Sequence, residues 1–301
     1  MSPMFLYFFL NEDVIERKNL FLKIYIFSIL LASIIGYFAE YIPNLLNYIS
    51  FKTTNDGVGG IYYRFSGVWG DTNYYTVNLI LALLFALYLN IKHEISTRSF
   101  IFLSILIISF GALTQSKTFL LMLVISLSYC FYLSVKTKRY NLTLLMICCV
   151  IVGGALIATG TLIIFDGIIE RIMLSQNVGQ LTTNRSIIWE NYIRYFNSNP
   201  SVWLIGNGLC SAFVNRAAPH NTYIDFIFYY GLIGSAIFIY LIKLSFSRFK
   251  KCERVIGYMP MIALLIMLFS LSSLTYMDFQ FQLAVVLLVA CDGSDRALLK
   301  T

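Results

Sequence analysis

Long apolar runs constrain this chain more than any other feature. A helix that crosses a bilayer needs about 20 mostly apolar residues. Eight segments meet or approach that length: roughly 20–39, 73–91, 99–115, 117–135, 142–165, 221–243, 257–275 and 278–291, the last being short for a full crossing. Composition points the same way, with 58% hydrophobic and 12% charged residues and a mean hydropathy of +0.75, outside the range of ordinary soluble domains. The expected fold is therefore all-α: a polytopic integral membrane protein of about eight transmembrane helices. Small residues such as Gly153, Gly154, Ala155 and Ala158 are expected at contacts between spans. The apolar stretch 3–10 is too short to span and has neither a basic segment before it nor a small-residue cleavage site after it, so it does not read as a signal peptide. It suits an interfacial segment or the tail of a helix whose earlier part is missing.

Basic residues orient the spans. Arg17 and Lys18 precede the first full span, Lys92 and Arg98 follow the second, Lys136, Lys138 and Arg139 follow the fourth, and Lys243, Arg248, Lys250, Lys251 and Arg254 follow the sixth. If the spans alternate, all four clusters share one side, and the positive-inside rule makes that side cytoplasmic. The net charge of +7 is then largely topological, and no nucleic-acid partner is expected because no basic domain carries it. Lys52, Arg64, Lys117, Arg171, Arg185, Arg194 and Arg216 fall on the opposite side, where topology does not require them. Most lie in two loops, 40–72 and 166–220, both longer than structureless connections usually are. The chain thus divides into N-terminal transmembrane helices over 1–165 with the outer loop 40–72, a long extracytoplasmic loop over 166–220 containing short helices, and C-terminal transmembrane helices over 221–301, all one membrane domain.

Polar residues gather in those loops. Over 183–196, apolar residues at 188, 189, 192, 193 and 196 form one helical face with Thr183 or Asn184 as the N-cap. Such a helix either lies in the outer interface, its Trp and Tyr rings at headgroup level, or packs amphipathically on the bundle. Pro200, Gly206 and Gly208 then break the chain. In 64–75, Gly67 and Gly70 permit a tight re-entry toward the bilayer, and Asn73 opens the next span. Thr114-Gln115-Ser116-Lys117 makes a very short outer turn, whose lysine can also simply snorkel to lipid phosphate. His220, one of two histidines, stands with Asn221 at the mouth of the sixth span. It either ends the loop and caps the helix or serves as a proton shuttle, the usual work of a side chain titrating near neutrality. Asp225, five residues on, is off the four-residue spacing that would aim it at His220. It faces an acceptor channel, pairs with a loop arginine, or belongs to a buried structural network.

In chain order these elements bring a family into view. Arg64-Phe-Ser-Gly followed by Asp71-Thr-Asn73, then Thr114-Gln-Ser-Lys117, then Asn184-Arg185 with Trp189, then Pro219-His220-Asn221-x-Tyr223 ending in Gly231-Leu-Ile-Gly234, resemble the ordered motifs of the O-antigen ligase and O-antigen polymerase superfamily of bacterial membrane glycan transferases. The resemblance covers about residues 60–240. Lys117 departs from the family's usual arginine and loses the bidentate fork, and Tyr229 occupies a position often acidic. The family usually has more spans, which implies a missing N-terminal part.

The resemblance implies a polyprenyl-diphosphate-linked oligosaccharide as donor and a glycan or lipid hydroxyl as acceptor, joined outside the bacterial cytoplasmic membrane. His220 would be the catalytic base, with Arg64, Lys117, Arg185, Arg216 and Asn221 binding substrate. Cations placed in advance suit the charge that grows on a leaving diphosphate, and a single displacement should invert the anomeric centre. The enzyme would be a metal-independent inverting glycosyltransferase of O-antigen, capsule or exopolysaccharide biosynthesis, preferred as a polymerase, with ligase to a lipid A core or a protein as the alternative. Membrane lipid and other polysaccharide-assembly proteins are the further expected partners. A transporter or flippase for lipid-linked sugars, or a non-catalytic assembly partner, is the reading from another class. A secondary transporter should show repeated halves and midplane breaks, and no repeat is visible here. The six cysteines have no zinc-like spacing with histidine, and Cys210 is alone in the outer loop, so no internal disulfide is expected there. No phosphate-binding loop or dinucleotide fingerprint is present, so no cofactor is expected.

Overall fold

The computed structural model describes residues 17–39, 42, 51–55, 61–69, 71–136, 138, 139, 143, 173, 185–208, 211–247, 258–271, 283 and 286. In chain order these form α1 (Lys18–Ala39), β1 (Phe51–Asn55), β2 (Ile61–Phe65), α2 (Thr72–Ile91), α3 (Thr97–Leu113), α4 (Lys117–Lys136), α5 (Arg185–Ser198), α6 (Pro200–Ile205), a 3-10 turn (Val214–Arg216), α7 (Thr222–Ser247) and α8 (Tyr258–Met267), which tightens into a 3-10 turn at Leu268–Ser270. Among the described residues, four helices are long and apolar enough to cross a membrane: α1, α2, α4 and residues Thr222–Tyr240 of α7. Thr97–Leu113 and Met259–Ser270 are apolar but shorter. The expected spans 142–165 and 278–291 lie almost wholly outside the described residues, as do residues 3–10, Arg171, Asn184 and the small residues from Gly153 to Ala158.

Helix α2 is the axis of the bundle. Its sequence is apolar all round, and such a helix has no face to give to solvent. It is buried along its length, with α1, α3, α4 and α8 packed around it. Helix α1 buries one stripe, Leu22, Tyr25, Ile26, Ile29, Leu30 and Ser33, against α2, and exposes Leu20, Ile24, Phe27, Leu31 and Phe38 on the other side. An outer face as apolar as the inner one fits a hydrocarbon surround better than water. Side-chain hydrogen bonds cross this interface, among them Tyr25 Oη donating to Asn78 Oδ1 at 2.7 Å and Tyr75 Oη to Ser33 Oγ at 2.6 Å.

The two ends of the bundle differ chemically. At one end, Arg139 donates to Asn90 O (2.8 Å), Asn90 Oδ1 (3.0 Å) and Ile91 O (2.9 Å), closing the C-terminus of α2. Lys18 and Lys92 lie over the Tyr88 ring, and Lys23 pairs with Glu94 at 2.9 Å. Cations at a helix C-terminus oppose its partial negative charge. The other end holds the N-termini of α2, α4 and α7, the C-termini of α3 and α8, and a β-hairpin.

The described residues are mostly helical, as expected, and that hairpin adds a strand pair that the all-α expectation did not include. β1 and β2 pair antiparallel in the register Phe51↔Phe65, Lys52↔Arg64 and Asn55↔Ile61. Aromatic and β-branched residues fit a pleated ladder, and Asn55-Asp56-Gly57 with Gly59-Gly60 between the two runs is the short-range hairpin signal that the loop carries. Phe65 is buried against Tyr37, Tyr75 and Phe110. Gly67 follows with φ +58° and lies so close to Gly36 of α1 that a Cβ on Gly36 would sit 3.0 Å from its backbone. The tight turn expected of Gly67 is therefore a glycine-on-glycine seat on α1.

Candidate functional site

The first two motifs interlock at this end of the bundle. Arg64 is buried, and its Nε donates to Thr114 O at 3.1 Å, fixing the hairpin to the turn between α3 and α4. Thr114 Oγ1 donates to Gly111 O (2.6 Å) and accepts from Ser116 N (3.2 Å). Ser116 Oγ accepts from Phe119 N at 3.3 Å, satisfying one of the orphan amides that open α4. The same hydroxyl lies 3.4 Å from Asn73 Oδ1 at the start of α2, whose N-cap is Asp71, accepting from Asn73 N at 2.6 Å. Two helix N-termini thus lie side by side, with Lys117, half-buried, as the first residue of α4.

The third and fourth motifs interlock through α8. Arg185 opens α5, and its Nη1 donates to Ser270 O at 2.9 Å. Thr222 Oγ1 donates to Leu271 O at 2.7 Å and Tyr223 Oη to Leu265 O at 2.8 Å. The C-terminal carbonyls of α8 therefore tie the start of α5 to the start of α7. Trp189 Nε1 donates to Pro219 O and Tyr192 Oη to Ala217 O, both at 2.8 Å, so α5 also holds the segment leading into His220.

The N-cap of α7 is Asn221, whose Oδ1 accepts from Tyr223 N (3.0 Å) and Ile224 N (3.3 Å). Of the two roles open to His220, capping belongs to its neighbour. Asn221, expected to bind substrate, commits its side-chain oxygen to the helix. His220 is exposed and has φ +48°, a left-handed backbone that costs a non-glycine residue on the order of 1–2 kcal/mol. Its imidazole is held below the ordinary value, first by the protein that displaces water around it, then by the Arg185 charge, with Asp71 opposing. Asp71, Arg185 and His220 from three separate motifs thus share one electrostatic field.

The remaining residues stand differently. Arg216 is exposed at the end of its 3-10 turn, also with positive φ, and the cationic charge that bears on His220 is Arg185's. Asp225 is buried. Burial is the main reason that the Tyr192 phenol is pushed above its usual range, and the Asp225 carboxylate adds to it, so Asp225 lies within electrostatic reach of α5. Among the described residues no three His, Cys, Asp or Glu side chains converge as a metal site would require.

Two features escape a reading of the sequence. One is the electrostatic partnership of Asp71 with His220, far apart in the chain. The other is a break in α7 at Gly231 (φ +63°, ψ −175°). The carbonyls of Phe228 and Tyr229 accept instead from Asn207 N (2.8 Å) and Gly208 N (3.0 Å). The glycines at 206, 208 and 231 are the visible trace of that junction, but nothing local says that they meet. Set against protein-family models, curated proteins and solved structures, the chain matches none.

Proposed function

We propose that this chain transfers a glycan from a polyprenyl-diphosphate-linked donor to a hydroxyl acceptor, at the membrane face that carries His220. The observation that supports it most is the position of His220: solvent-accessible, relieved of capping by Asn221, and in the field of both Arg185 and Asp71. A base for this reaction must be neutral at working pH and reachable by the acceptor, and a depressed imidazole pKa favours the neutral form.

In the reaction, the His220 imidazole takes the proton of the acceptor hydroxyl as that oxygen attacks the anomeric carbon. The bond from this carbon to the diphosphate oxygen breaks, and its electron pair leaves with the polyprenyl diphosphate, inverting the centre. Arg64, Lys117, Arg185 and Arg216 are the cations for the leaving charge. The carbonyl contacts of Arg64 and Arg185 fix where their guanidiniums sit before the charge develops, and the adjacent N-termini of α2 and α4 add their partial positive charge. On this reading the protein is multi-pass in a bacterial cytoplasmic membrane, with His220 outside. Polymerase is preferred over ligase on the sequence resemblance.

His220→Ala should abolish glycan transfer while the protein stays in the membrane at normal level; wild-type polymer from this variant sinks the assignment. Glycan profiles of a deletion strain separate the subclasses. Single-repeat products on the final carrier mark a polymerase, and undischarged long chains on polyprenyl diphosphate mark a ligase. The break at Gly231 favours a second reading, a transporter of the same lipid-linked sugars, because transport sites often use interrupted helices. Here the released carbonyls are taken by protein backbone and not turned to a cavity. Purified protein in vesicles that moves donor across the bilayer without forming a glycosidic bond would establish the transporter instead.

A further inference from the structure

The junction at Gly231 lies deep along a helix of spanning length. Thr222 to Tyr240 is apolar enough to cross a membrane, and Gly231 lies nine residues past Thr222, about 14 Å down the axis at 1.5 Å per residue. That is near the middle of a hydrocarbon core about 30 Å thick. Irregular backbone at such depth is tolerated only where protein or enclosed water satisfies it. Here the amides of Asn207 and Gly208 satisfy the Phe228 and Tyr229 carbonyls, so residues 206–208 must reach the same depth.

Their contact is backbone on backbone. A Cβ on Gly206 would lie 2.5 Å from Tyr229 C and O, and one on Gly231 would lie 2.3 Å from Leu204 O. The flanking surface is apolar: Leu204 and Ile205 are 55% and 67% exposed, and Leu232 and Ile233 across the junction 47% and 53%. No charged residue occurs between Arg194 and Arg216, an unusual stretch for a loop in water.

We infer that residues 200–208 form a re-entrant segment that dips into the bilayer from the end bearing His220, plugs the broken α7, and presents Leu204 and Ile205 to lipid acyl chains. The first part of the long loop, α5 with its charged Glu190 and Arg194, stays at the surface, while α6 descends. Lipid is the occupant because the surface continues the exposed apolar face of α7 and carries no group that would bind a protein partner through charge. This inference stands apart from glycan transfer and survives if that reading fails.

Intrinsic fluorescence tests it in vesicles made from lipids brominated at mid-chain. The contribution of Trp203, taken as wild type minus Trp203→Phe, should lose most of its intensity to the brominated lipid and little to aqueous iodide. Trp203→Phe keeps a ring against Phe196, whose ring centroid is 5.0 Å away. A second measurement does not depend on that variant. A nitroxide at Ile205→Cys, with the native cysteines replaced, should collide with dissolved oxygen more than with a water-soluble nickel chelate, and a nitroxide at Glu190→Cys should show the reverse. Iodide quenching of Trp203, nickel access at position 205 equal to that at 190, or shielding of position 205 from both reagents overturns the inference.

Discussion

Replacing Gly231 by alanine should damage this protein out of proportion to a single methyl group. At φ +63° and ψ −175° the backbone occupies a region essentially reserved for glycine, so alanine costs on the order of 1–3 kcal/mol in strain alone. The new Cβ would also lie 2.3 Å from Leu204 O, 2.4 Å from Leu204 C and 2.5 Å from Ile205 N. These are backbone atoms, and no rotamer change moves them away. Relief requires α6 to withdraw, which breaks the bonds from Asn207 N and Gly208 N to Phe228 O and Tyr229 O. Each stranded carbonyl costs about 1–3 kcal/mol. The expected total is roughly 3–9 kcal/mol, toward the lower end if α7 straightens and satisfies its own carbonyls. Gly206→Ala should behave alike, since its Cβ meets Tyr229 backbone at 2.5 Å. Gly208→Ala is the control. It shares the positive φ, +78°, but has nothing within 4 Å of the added methyl, so only the backbone term of about 1–2 kcal/mol applies. Unfolding of the purified variants in mixed micelles, followed by tryptophan emission, ranks them. The Gly206/Gly231 double variant should cost less than the two singles added, because both break one junction. Equal losses from Gly208→Ala and Gly231→Ala would refute the reasoning.

Two further perturbations probe the end of the bundle that carries His220. If His220 is the base, transfer rises with pH along an acid limb centred below 6.5, the ordinary imidazole value, and is flat through neutrality, since the depressed pKa leaves the ring neutral there. Arg185→Gln removes a charge that lowers that pKa and should move the limb up; Asp71→Asn removes one that raises it and should move the limb down, while keeping a competent cap on α2. Rate profiles that move the same way for both variants refute the shared field. Asn221→Ala should cost about 1 kcal/mol by uncapping α7, and Asn221→Asp should restore most of it; equal stability of all three in a thermal melt would mean that the cap does not contribute.

Much of the helical framework is legible because its cause is local. Each of the four helices of spanning length falls on an apolar run visible in the chain, and the basic groups at Lys18, Lys92 and Arg139 do share one end of the bundle. The hairpin at 51–65 was also written locally, in aromatic and β-branched runs around Asn-Asp-Gly-type turn residues, but the apolar period dominates a chain of this composition and hides a strand pair. Site residues are legible only as types. Nothing near Asn221 separates a cap from a ligand, because both need the same side-chain oxygen; the backbone around Tyr223 and Ile224 decides it. Arg64 and Arg185 illustrate the same limit. A loop arginine reads as a clamp for a distant anion, yet in the structure each first fixes a carbonyl at the end of another helix, Thr114 and Ser270 respectively.

By itself the sequence determines that the chain is mostly helical, with runs long and apolar enough to cross a membrane, and which polar residues stand at the ends of the described helices. Hydrophobic transfer and helix propensity act over neighbouring residues, so local order is enough to state them. Only the tertiary structure decides that α2 is enclosed by its neighbours, that His220 feels Asp71 and Arg185, and that α6 closes the break in α7. Those are contacts between residues far apart in the chain. They depend on close packing and on satisfying every backbone group that the fold withdraws from water.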